Sequence, residues 1–411
     1  MNGSHGTPID TGRQWDGLVV LCAANNYDGI KLADQHMAEE LARLRPVLYV
    51  DPPISVLTPK KHPYIATSLQ QPRLRMQSAG LARLTPVVQP LPARRGMTVV
   101  TNILLRTLLR RATARLGGTV DAVVSAWPLH PIFGACRERT SIYWAQDDFV
   151  GGAALLGLNA AHLGAGELRV AAQADAIVAA NPLVDERWRR SGSATHLIPF
   201  GVDAAAYEAV DHLDMPKAVS LPRPIAGFVG HINDRTDLAL LEAIAARGRS
   251  LLLVGPRHPA FEPERWNALM ARTNVAWVGP QPFSALPPYL AAIDVGLVPY
   301  RDSAFNRGSF PLKTLEYLAA GRPVVATDLP ATRWLNTDLV TVATAPSDFA
   351  DAVDVLLDRG RTEADVHARR AFAIQHSWAR RAANLLEVID GSPVAQRSSR
   401  SAASLENYQS A

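Results

Sequence analysis

Short apolar segments alternate with helix-length segments along most of this chain, and this alternation restricts its fold more than any other feature. The pattern is typical of parallel β-sheets whose strands are joined by crossover helices. In the first half it predicts strands at 18–23, 47–50, 122–125, 141–145, 176–179 and 195–198. It predicts helices near 31–44, 98–116, 167–174 and 183–191. The proline-rich stretch 52–95 is predicted to be rich in loops.

A second series of the same kind follows an aperiodic segment rich in Pro, Asp and Ala. Its predicted strands are 225–229, 251–254, 275–278, 295–298, 323–327 and 340–342. Its predicted helices lie near 238–247, 264–272, 284–293, 312–320 and 348–359. Because 411 residues are too many for one ordinary core, we predict two doubly wound α/β domains facing a cleft.

The predicted boundaries follow from these two series. The domains are 15–200 and 225–390, joined by a linker at 201–224, and the last helix can pack back on the first domain. Residues 1–14 and the Ser/Ala-rich tail 391–411 are expected to be disordered.

Composition narrows the class of protein. Nearly half of the residues are apolar, and no apolar run approaches the ~18 residues of a membrane span. The polar N-terminus shows no secretory signal. The two cysteines, Cys22 and Cys136, lie in apolar settings and are expected to be unpaired. These features predict a cytoplasmic protein.

Several common site motifs are missing from the sequence. It contains no Cys/His cluster with metal-ligand spacing, no phosphate loop of the Gly-x-x-x-x-Gly-Lys-Ser/Thr type, and no dinucleotide fingerprint after the first strand. We therefore expect neither a bound metal nor a cofactor.

The segment 299–326 carries the clearest sign of a binding site. A strand ends near residue 299, a polar loop follows, and a helix is predicted from Pro311 to a glycine cap at Gly321. A helix N-terminus that faces a cleft is a ready site for a diphosphate. Lys313 lies in the first turn, where a cation is unfavourable unless an anion binds nearby. Glu316, one turn further on, can accept hydrogen bonds from a ribose diol.

The alternative is an ordinary amphipathic helix. In that case Leu312, Leu315 and Leu318 would pack in the core and Lys313 would point into solvent.

Four segments of the second half together resemble the donor-binding half of the GT-B glycosyltransferases, above all the group 1 (family 4-like) bacterial enzymes of cell-envelope and exopolysaccharide assembly. These segments are Gly227-Phe-Val-Gly-His231, Leu251-Leu-Leu-Val-Gly255, Asn274-Val-Ala-Trp-Val-Gly279 and Pro311-Leu-Lys-Thr-Leu-Glu-Tyr-Leu-Ala-Ala-Gly-Arg-Pro-Val-Val325. The resemblance implies the GT-B fold and a hexosyltransferase that takes its sugar from a nucleotide diphosphate-sugar, such as a UDP-sugar.

The resemblance also implies roles for individual residues. The helix start at Phe310, Pro311, Leu312 and Lys313 would bind the donor phosphates, and Glu316 would hold the ribose. The turn at Gly230 and His231, with Arg235 nearby, would lie beside the diphosphate. The loop from Gly279 to Phe283 would lie beside the base.

The chain departs from the commoner family pattern at two positions. Many retaining members carry a second glutamate eight positions before the first, but here that position is Gly308. The donor sugar and the stereochemical outcome are therefore left open. His231 stands where the family usually has an arginine, so Lys313 and Arg235 are expected to carry more of the phosphate charge.

Catalytic candidates come from the first half. The segment Ser141-Ile-Tyr-Trp-Ala-Gln-Asp-Asp-Phe149 resembles the Tyr…Asp-Asp turn of the same envelope enzymes. Asp147 and Asp148 follow a strand, and a carboxylate there can act as a general base or orient the acceptor. Alternatively, one of them caps the next segment and the other is solvated. His130 is a further candidate, although a histidine beside proline is more often structural.

Charge is unevenly distributed. Residues 52–120 contain eleven Lys and Arg but no acid, where about six acids would be expected from the composition. The helix predicted at 97–117 combines an apolar stripe with Arg106, Arg110 and Arg115, as interfacial helices do. It could equally be a core helix with solvated arginines. We predict a peripheral contact with the inner face of the plasma membrane through 52–120.

The sequence thus predicts a glycosyltransferase acting on a lipid-linked or cell-envelope glycan acceptor. The alternatives are an anionic-surface or nucleic-acid binding protein on a degenerate GT-B scaffold, or an epimerase or phosphorylase of this architecture. Tyr64 is the only aromatic residue within 52–120, and this argues against nucleic acid, which needs aromatic side chains among the basic ones.

Overall fold

The computed structural model describes residues 15–60, 62–92, 94, 96–154 and 157–391. The chain divides into two compact units. Unit 1 contains the residues up to Pro199 together with those from Ala382 onward, and unit 2 is Phe200–Arg381. Residues 1–14 and 392–411, for which disorder is predicted, lie outside the described residues.

Unit 1 is built on an eight-stranded sheet of order β3-β4-β2-β1-β5-β6-β7-β8. Strand β3 pairs antiparallel with β4, and the other pairs are parallel. In chain order its elements are β1 Leu18–Cys22, α1 Ala33–Leu44, β2 Val47–Val50, α2 Ile65–Gln70, β3 Leu74–Ser78, β4 Leu81–Leu84, α3 Met97–Leu116, β5 Val120–Ser125, β6 Thr140–Ala145, α4 Ala160–Ala171, β7 Ala176–Ala179, α5 Pro182–Arg190 and β8 Thr195–Leu197.

Unit 2 contains a six-stranded parallel sheet of order β11-β10-β9-β12-β13-β14. Its elements are β9 Ile225–Val229, α6 Leu238–Ala246, β10 Ser250–Val254, α7 Pro263–Met270, β11 Val275–Trp277, α8 Leu286–Ala292, β12 Val295–Val298, α9 Ala304–Arg307, α10 Leu312–Ala319, β13 Val324–Ala326, α11 Pro330–Leu335, β14 Val340–Val342, α12 Pro346–Arg359 and α13 Glu363–Gln375. The last helix, α14 Trp378–Gly391, begins in unit 2, and its residues from Ala382 are grouped with unit 1.

The α/β class with parallel sheets is confirmed, and every predicted strand is present to within two residues. Cys22 and Cys136 are buried and unpaired, as expected. One helix begins earlier than predicted. The Asn159 side chain accepts a hydrogen bond from the backbone N–H of His162, and this cap starts α4 at Ala160.

The stretch 52–95, predicted to be rich in loops, contains α2 and two strands of the sheet. The prediction missed β4 because a charged residue, Arg83, interrupts its apolar run. In the structure Arg83 is buried, with Nε 2.9 Å from the Asp51 carboxylate and Nη1 2.7 Å from that of Asp28. These ion pairs let a charged strand lie inside the sheet.

The segment 201–224, expected to be a linker, is part of unit 2. It contains 3-10 turns at Ala204–Tyr207 and Val210–His212. Asp211 accepts a hydrogen bond of 2.6 Å from Arg322, a buried side chain. Residues 201–224 therefore pack against the rest of unit 2 and contribute side chains to it.

The strand order of unit 2 locates its binding edge. Strand β9 lies between β10 and β12, which continue the sheet in opposite directions. Ligands of such sheets bind outside the carboxyl ends of the strands, at the point where the order reverses. The loops that follow β9 and β12, which begin at Gly230 and Pro299, both lie at that edge.

Candidate functional site

Helix α10 is held against the sheet of unit 2 by Tyr317. The Tyr317 ring packs so closely over Gly296 of β12 that a Cβ atom there would lie 2.3 Å from the ring. The Tyr317 hydroxyl accepts a hydrogen bond of 2.8 Å from the backbone N–H of Val229 and lies 3.3 Å from the carbonyl of Gly227. Since both residues belong to β9, the helix is fixed across the switch point.

Both ends of α10 agree with the sequence prediction. Gly321 has φ 74°, and its N–H donates to the carbonyl of Leu318 while that of Arg322 donates to Tyr317, as in a glycine cap. At the other end Pro311 precedes the first helical residue, Leu312, and no side chain caps the helix within the described chain. The N–H groups of the first turn can therefore bind an anion.

Lys313 lies over the turn that follows β9. A Cβ atom on Gly230 would lie 2.0 Å from Cε of Lys313 and 2.8 Å from its Nζ. Gly230 therefore leaves the space that the Lys313 side chain occupies. The structure thus joins two residues 83 positions apart that the sequence assigned to one phosphate site.

Arg235 adds to the positive potential at this turn, beside the neutral imidazole of His231. Burial lowers the pKa of His231, and the nearby Lys313 and Arg235 lower it further. The Arg235 guanidinium lies 5.0 Å from the ring centre of Tyr300 and 4.7 Å from that of Phe305.

Arg235 is held in this position by a hydrogen bond as well. Its Nε donates to the Asn306 side-chain oxygen at 2.8 Å. Among the described residues, no carboxylate forms an ion pair with Lys313, His231 or Arg235. Such a cluster, fixed in place and unneutralised, is suited to a diphosphate.

Glu316 lies one turn along α10 from this cluster and is partly buried. Burial raises the pKa of its carboxyl group, and the Lys313 ammonium and the Tyr207 hydroxyl partly oppose that rise. Tyr207 belongs to the segment that the sequence predicted to be a linker, and it was not recognised as a site residue. Nothing local in the sequence places it here, because its position depends on how 201–224 packs.

The remaining donor-side candidates contribute mainly through their backbone. Gly279 has φ 71°, and its carbonyl accepts a hydrogen bond of 2.8 Å from the N–H of Gly255. The Phe310 side chain is buried, 6.4 Å from the ring of Phe200 and 5.9 Å from that of Trp334. Its ring is therefore part of the core and fixes the start of α10 from behind.

In unit 1, Asp148 is tied into an ion-pair network. Its carboxylate accepts hydrogen bonds of 3.1 Å from Arg187 and from the N–H of Gly151. Arg187 also donates to Glu167, which accepts a second bond from the Tyr143 hydroxyl. Asp148 thus caps the following turn, which is the alternative that the sequence left open for one of the two acids.

Asp147 is partly buried at the carboxyl end of β6. The residue before it, Gln146, is fixed by Asp34, whose buried carboxylate accepts a hydrogen bond of 2.7 Å from the Gln146 side chain. Asp34 also accepts a bond of 2.6 Å from Asn25, in the loop after β1. Asp34, which joins these two loops, was not predicted to have a role.

His130 is buried beside α3. Its Nδ1 lies 2.8 Å from the side-chain oxygen of Asn102, and its ring packs edge-on against Trp127. Burial lowers its pKa to about 4. The imidazole is therefore neutral near pH 7, and these contacts are those of a structural histidine.

Comparisons with known proteins identify a similar family and the fold. Residues 223–359 match the family model described as Glycosyl transferases group 1. This part of unit 2 is therefore similar to the group 1 glycosyltransferases, and the similar solved structures show that the chain has the GT-B fold, as the resemblance implied.

One curated relative is the putative teichuronic acid biosynthesis glycosyltransferase TuaH of Bacillus subtilis (strain 168), 29% identical over 222 residues. That match covers 52% of this chain and 56% of TuaH, so the chain spans little more than half the length of this relative.

The similar solved structures cover nearly the whole chain. Sucrose-phosphate synthase from Thermosynechococcus elongatus has a TM-score of 0.68 at 17% identity, covering 92% of this chain and 99% of its own. HepE of Anabaena, in complex with UDP-glucose, has a TM-score of 0.63 at 15% identity, covering 91% and 99%. At these identities the likeness shows the fold alone.

Proposed function

We propose that this protein is a glycosyltransferase that moves a sugar from a nucleoside diphosphate-sugar to a lipid-linked or cell-envelope glycan acceptor. The observation that carries the proposal is the Lys313 ammonium, placed over Gly230 at the uncapped start of α10. That arrangement joins a helix N-terminus, a cation and an open backbone turn, the three features that a diphosphate requires.

Donor binding follows from the charges around this turn. The phosphates accept hydrogen bonds from the first-turn N–H groups and from Lys313. Arg235 adds positive potential beside them, and His231 is neutral there because its pKa is lowered. Glu316, as the carboxylate, accepts hydrogen bonds from the ribose hydroxyls. The complex of HepE with UDP-glucose supports a UDP-sugar as the donor.

Catalysis needs a group that accepts or orients the acceptor proton. We assign this role to Asp147, a partly buried carboxylate directly after β6, where a general base can act. The buried, neutral His130 is the second candidate. We propose that no metal takes part. Within the described residues, no three His, Cys, Asp or Glu side chains are grouped so that they could hold one.

The acceptor class is inferred from two observations. TuaH is named for teichuronic acid biosynthesis, which supports an envelope glycan. The segment 52–120, which contains eleven Lys and Arg and no acid, supports a peripheral contact with the inner face of the plasma membrane. No helix in the described part of the chain is long and apolar enough to cross a bilayer.

The structure changes which residues of 52–120 can make a membrane contact. Arg75 and Arg83 are buried. Arg106 donates to the backbone carbonyls of Pro131 and Phe133, and Nε of Arg110 donates to that of Ala135. The arginine face predicted on α3 is therefore partly bound to the protein. Exposed apolar side chains occupy the first two turns instead: Val99, Val100, Ile103 and Leu104.

Calorimetry with UDP, GDP, ADP and CMP on the purified protein tests the donor proposal. One nucleoside diphosphate is expected to bind more tightly than the others, and Lys313→Ala is expected to weaken its binding. If no nucleotide binds, the donor proposal is wrong. Tight binding of single-stranded nucleic acid in the same assay would then favour the alternative function.

A further inference from the structure

A large cavity in unit 1 has no role in the proposed transfer. Its volume is about 1020 Å³, and its described walls come from the segment after β2, from Leu91, Pro92 and Arg94 after β4, and from the start of α4, where His162 lies in the first turn. Four lining side chains are basic or can become so: Lys60, His62, Arg94 and His162. None of the described lining residues is acidic. The cavity therefore favours an anionic ligand.

Two further observations point to a bound group at one end of this cavity. The Nε2 atom of His162 is buried and has no hydrogen-bond partner. A buried polar atom without a partner costs free energy, so a ligand that pairs with it is favoured. The start of α4, capped by Asn159, lies at the same wall and adds the positive end of its dipole.

Two of the other lining residues are apolar and exposed. Leu57 and Leu91 line the cavity, yet 46% and 57% of their surfaces are exposed to solvent. Leu91 also has φ 60°, a left-handed conformation that a leucine rarely adopts. The backbone is therefore strained while it holds this apolar side chain outward.

The apolar border continues onto α3. The Gln89 side chain donates to the carbonyl of Met97, and the Thr101 hydroxyl donates to that of Pro92. These bonds hold the Leu91 segment against the first turns of α3. Those turns carry the exposed Val99, Val100, Ile103 and Leu104. Exposed apolar side chains therefore lie both at the basic cavity and on the first turns of the helix that follows it.

We propose that this cavity binds the phosphate or diphosphate end of a lipid-linked acceptor. Lys60, Arg94 and His62 hold the phosphate oxygens, and the His162 ring turns so that its Nε2, buried in the free protein, makes one hydrogen bond to them. The apolar chain leaves past Leu57 and Leu91 along the exposed side of α3. This inference rests on the proposed function, since it identifies the lipid that carries the acceptor glycan as a lipid phosphate or diphosphate.

Calorimetry with farnesyl diphosphate tests the site, with inorganic pyrophosphate and farnesol as the two partial probes. Wild-type protein is expected to bind farnesyl diphosphate at least tenfold more tightly than either. If farnesyl diphosphate binds no better than pyrophosphate, the apolar half of the proposal is wrong. If farnesol binds as well as the diphosphate, the anionic half is wrong.

Variants locate the binding. Lys60→Ala with Arg94→Ala should weaken farnesyl diphosphate binding at least tenfold. The matched control is Arg111→Ala with Arg115→Ala, which removes the same charge from exposed positions of α3 outside the cavity and should leave the affinity within twofold. Equal losses in both pairs would show a general charge effect and overturn the site.

Leu91→Asn separates the apolar contact from folding. Asparagine accepts a positive φ more readily than leucine, so the melting temperature should not fall. Farnesyl diphosphate binding should weaken about threefold or more, with pyrophosphate binding unchanged. UDP binding, measured on each variant, reports on the other unit. If the wild-type protein does not bind UDP, the donor proposal is refuted. If it binds UDP but not farnesyl diphosphate, only this inference is refuted.

Discussion

Replacing Lys313 with alanine tests the donor site most directly. Two unit charges 4 Å apart attract by about 4 kcal/mol at the effective dielectric constant near a protein surface. Desolvation of the ammonium offsets part of this, so a charge-assisted hydrogen bond contributes about 1.5–3 kcal/mol net. Since no described carboxylate forms an ion pair with Lys313, its charge is available to the ligand. UDP affinity should therefore fall about 10- to 150-fold.

The assay compares UDP with uridine. Lys313→Ala should weaken UDP binding and leave uridine binding nearly unchanged, because the lysine is assigned to the phosphates. Lys217→Ala is the matched control, since Lys217 is exposed in the same unit and far along the chain from α10. An unchanged UDP affinity in Lys313→Ala, or an equal loss for uridine, would refute the phosphate assignment.

Gly230 gives an independent test of the same geometry. Alanine at Gly230 would place Cβ 2.0 Å from Cε of Lys313, so the flexible lysine must move off the turn. Gly230→Ala should therefore reproduce most of the loss caused by Lys313→Ala. The double variant should be no weaker than the worse single one, because both changes remove one contact. Fully additive losses would show that Lys313 does not act over Gly230.

The histidine beside the site offers a spectroscopic readout. Burial lowers the pKa of His231 first, and Lys313 and Arg235 lower it further. In Lys313→Ala the pKa measured by NMR titration should rise, while remaining below the ordinary histidine value because the burial is unchanged. A pKa that does not move would mean that the ammonium lies elsewhere.

Three other predictions follow from the site and from α3. Glu316→Gln should abolish the preference for UDP over 2′-deoxy-UDP in calorimetry. In the wild type this preference should be lost as the pH falls through the raised pKa of Glu316. Equal preference in both proteins would contradict the ribose role. Asp147→Asn should lower turnover without changing UDP affinity. Asp148→Asn should mainly lower the free energy of unfolding, by about 0.5–1 kcal/mol in urea denaturation. Normal turnover in Asp147→Asn would contradict the catalytic assignment. Val99→Asp with Ile103→Asp should release the protein from acidic vesicles in co-sedimentation while sparing UDP binding, and unchanged sedimentation would exclude α3 as the membrane contact.

The amino-acid sequence determined the features that depend on local patterns. Short apolar runs, bounded by helix-length segments, were sufficient for every predicted strand and for the α/β class. The start of α10 at Leu312 and its cap at Gly321 follow from proline and glycine chemistry that acts within a few residues. The motif around Lys313 and Glu316, whose resemblance implied the GT-B fold, lies in that one continuous segment.

Only the tertiary structure decided features that depend on distant partners. Strand β4 exists because Asp51 and Asp28 neutralise a buried Arg83. Tyr207 lies close enough to Glu316 to affect the pKa of that carboxyl group because the segment 201–224 packs within unit 2. Asp148 is fixed as a turn cap by bonds from Gly151 and from Arg187, 39 residues away. The sequence pattern shows which segments are apolar, but it does not show where a charged or polar group can be buried. Burying such a group is favourable only when its hydrogen-bonding or charged partner is in place, and that partner is distant in the sequence.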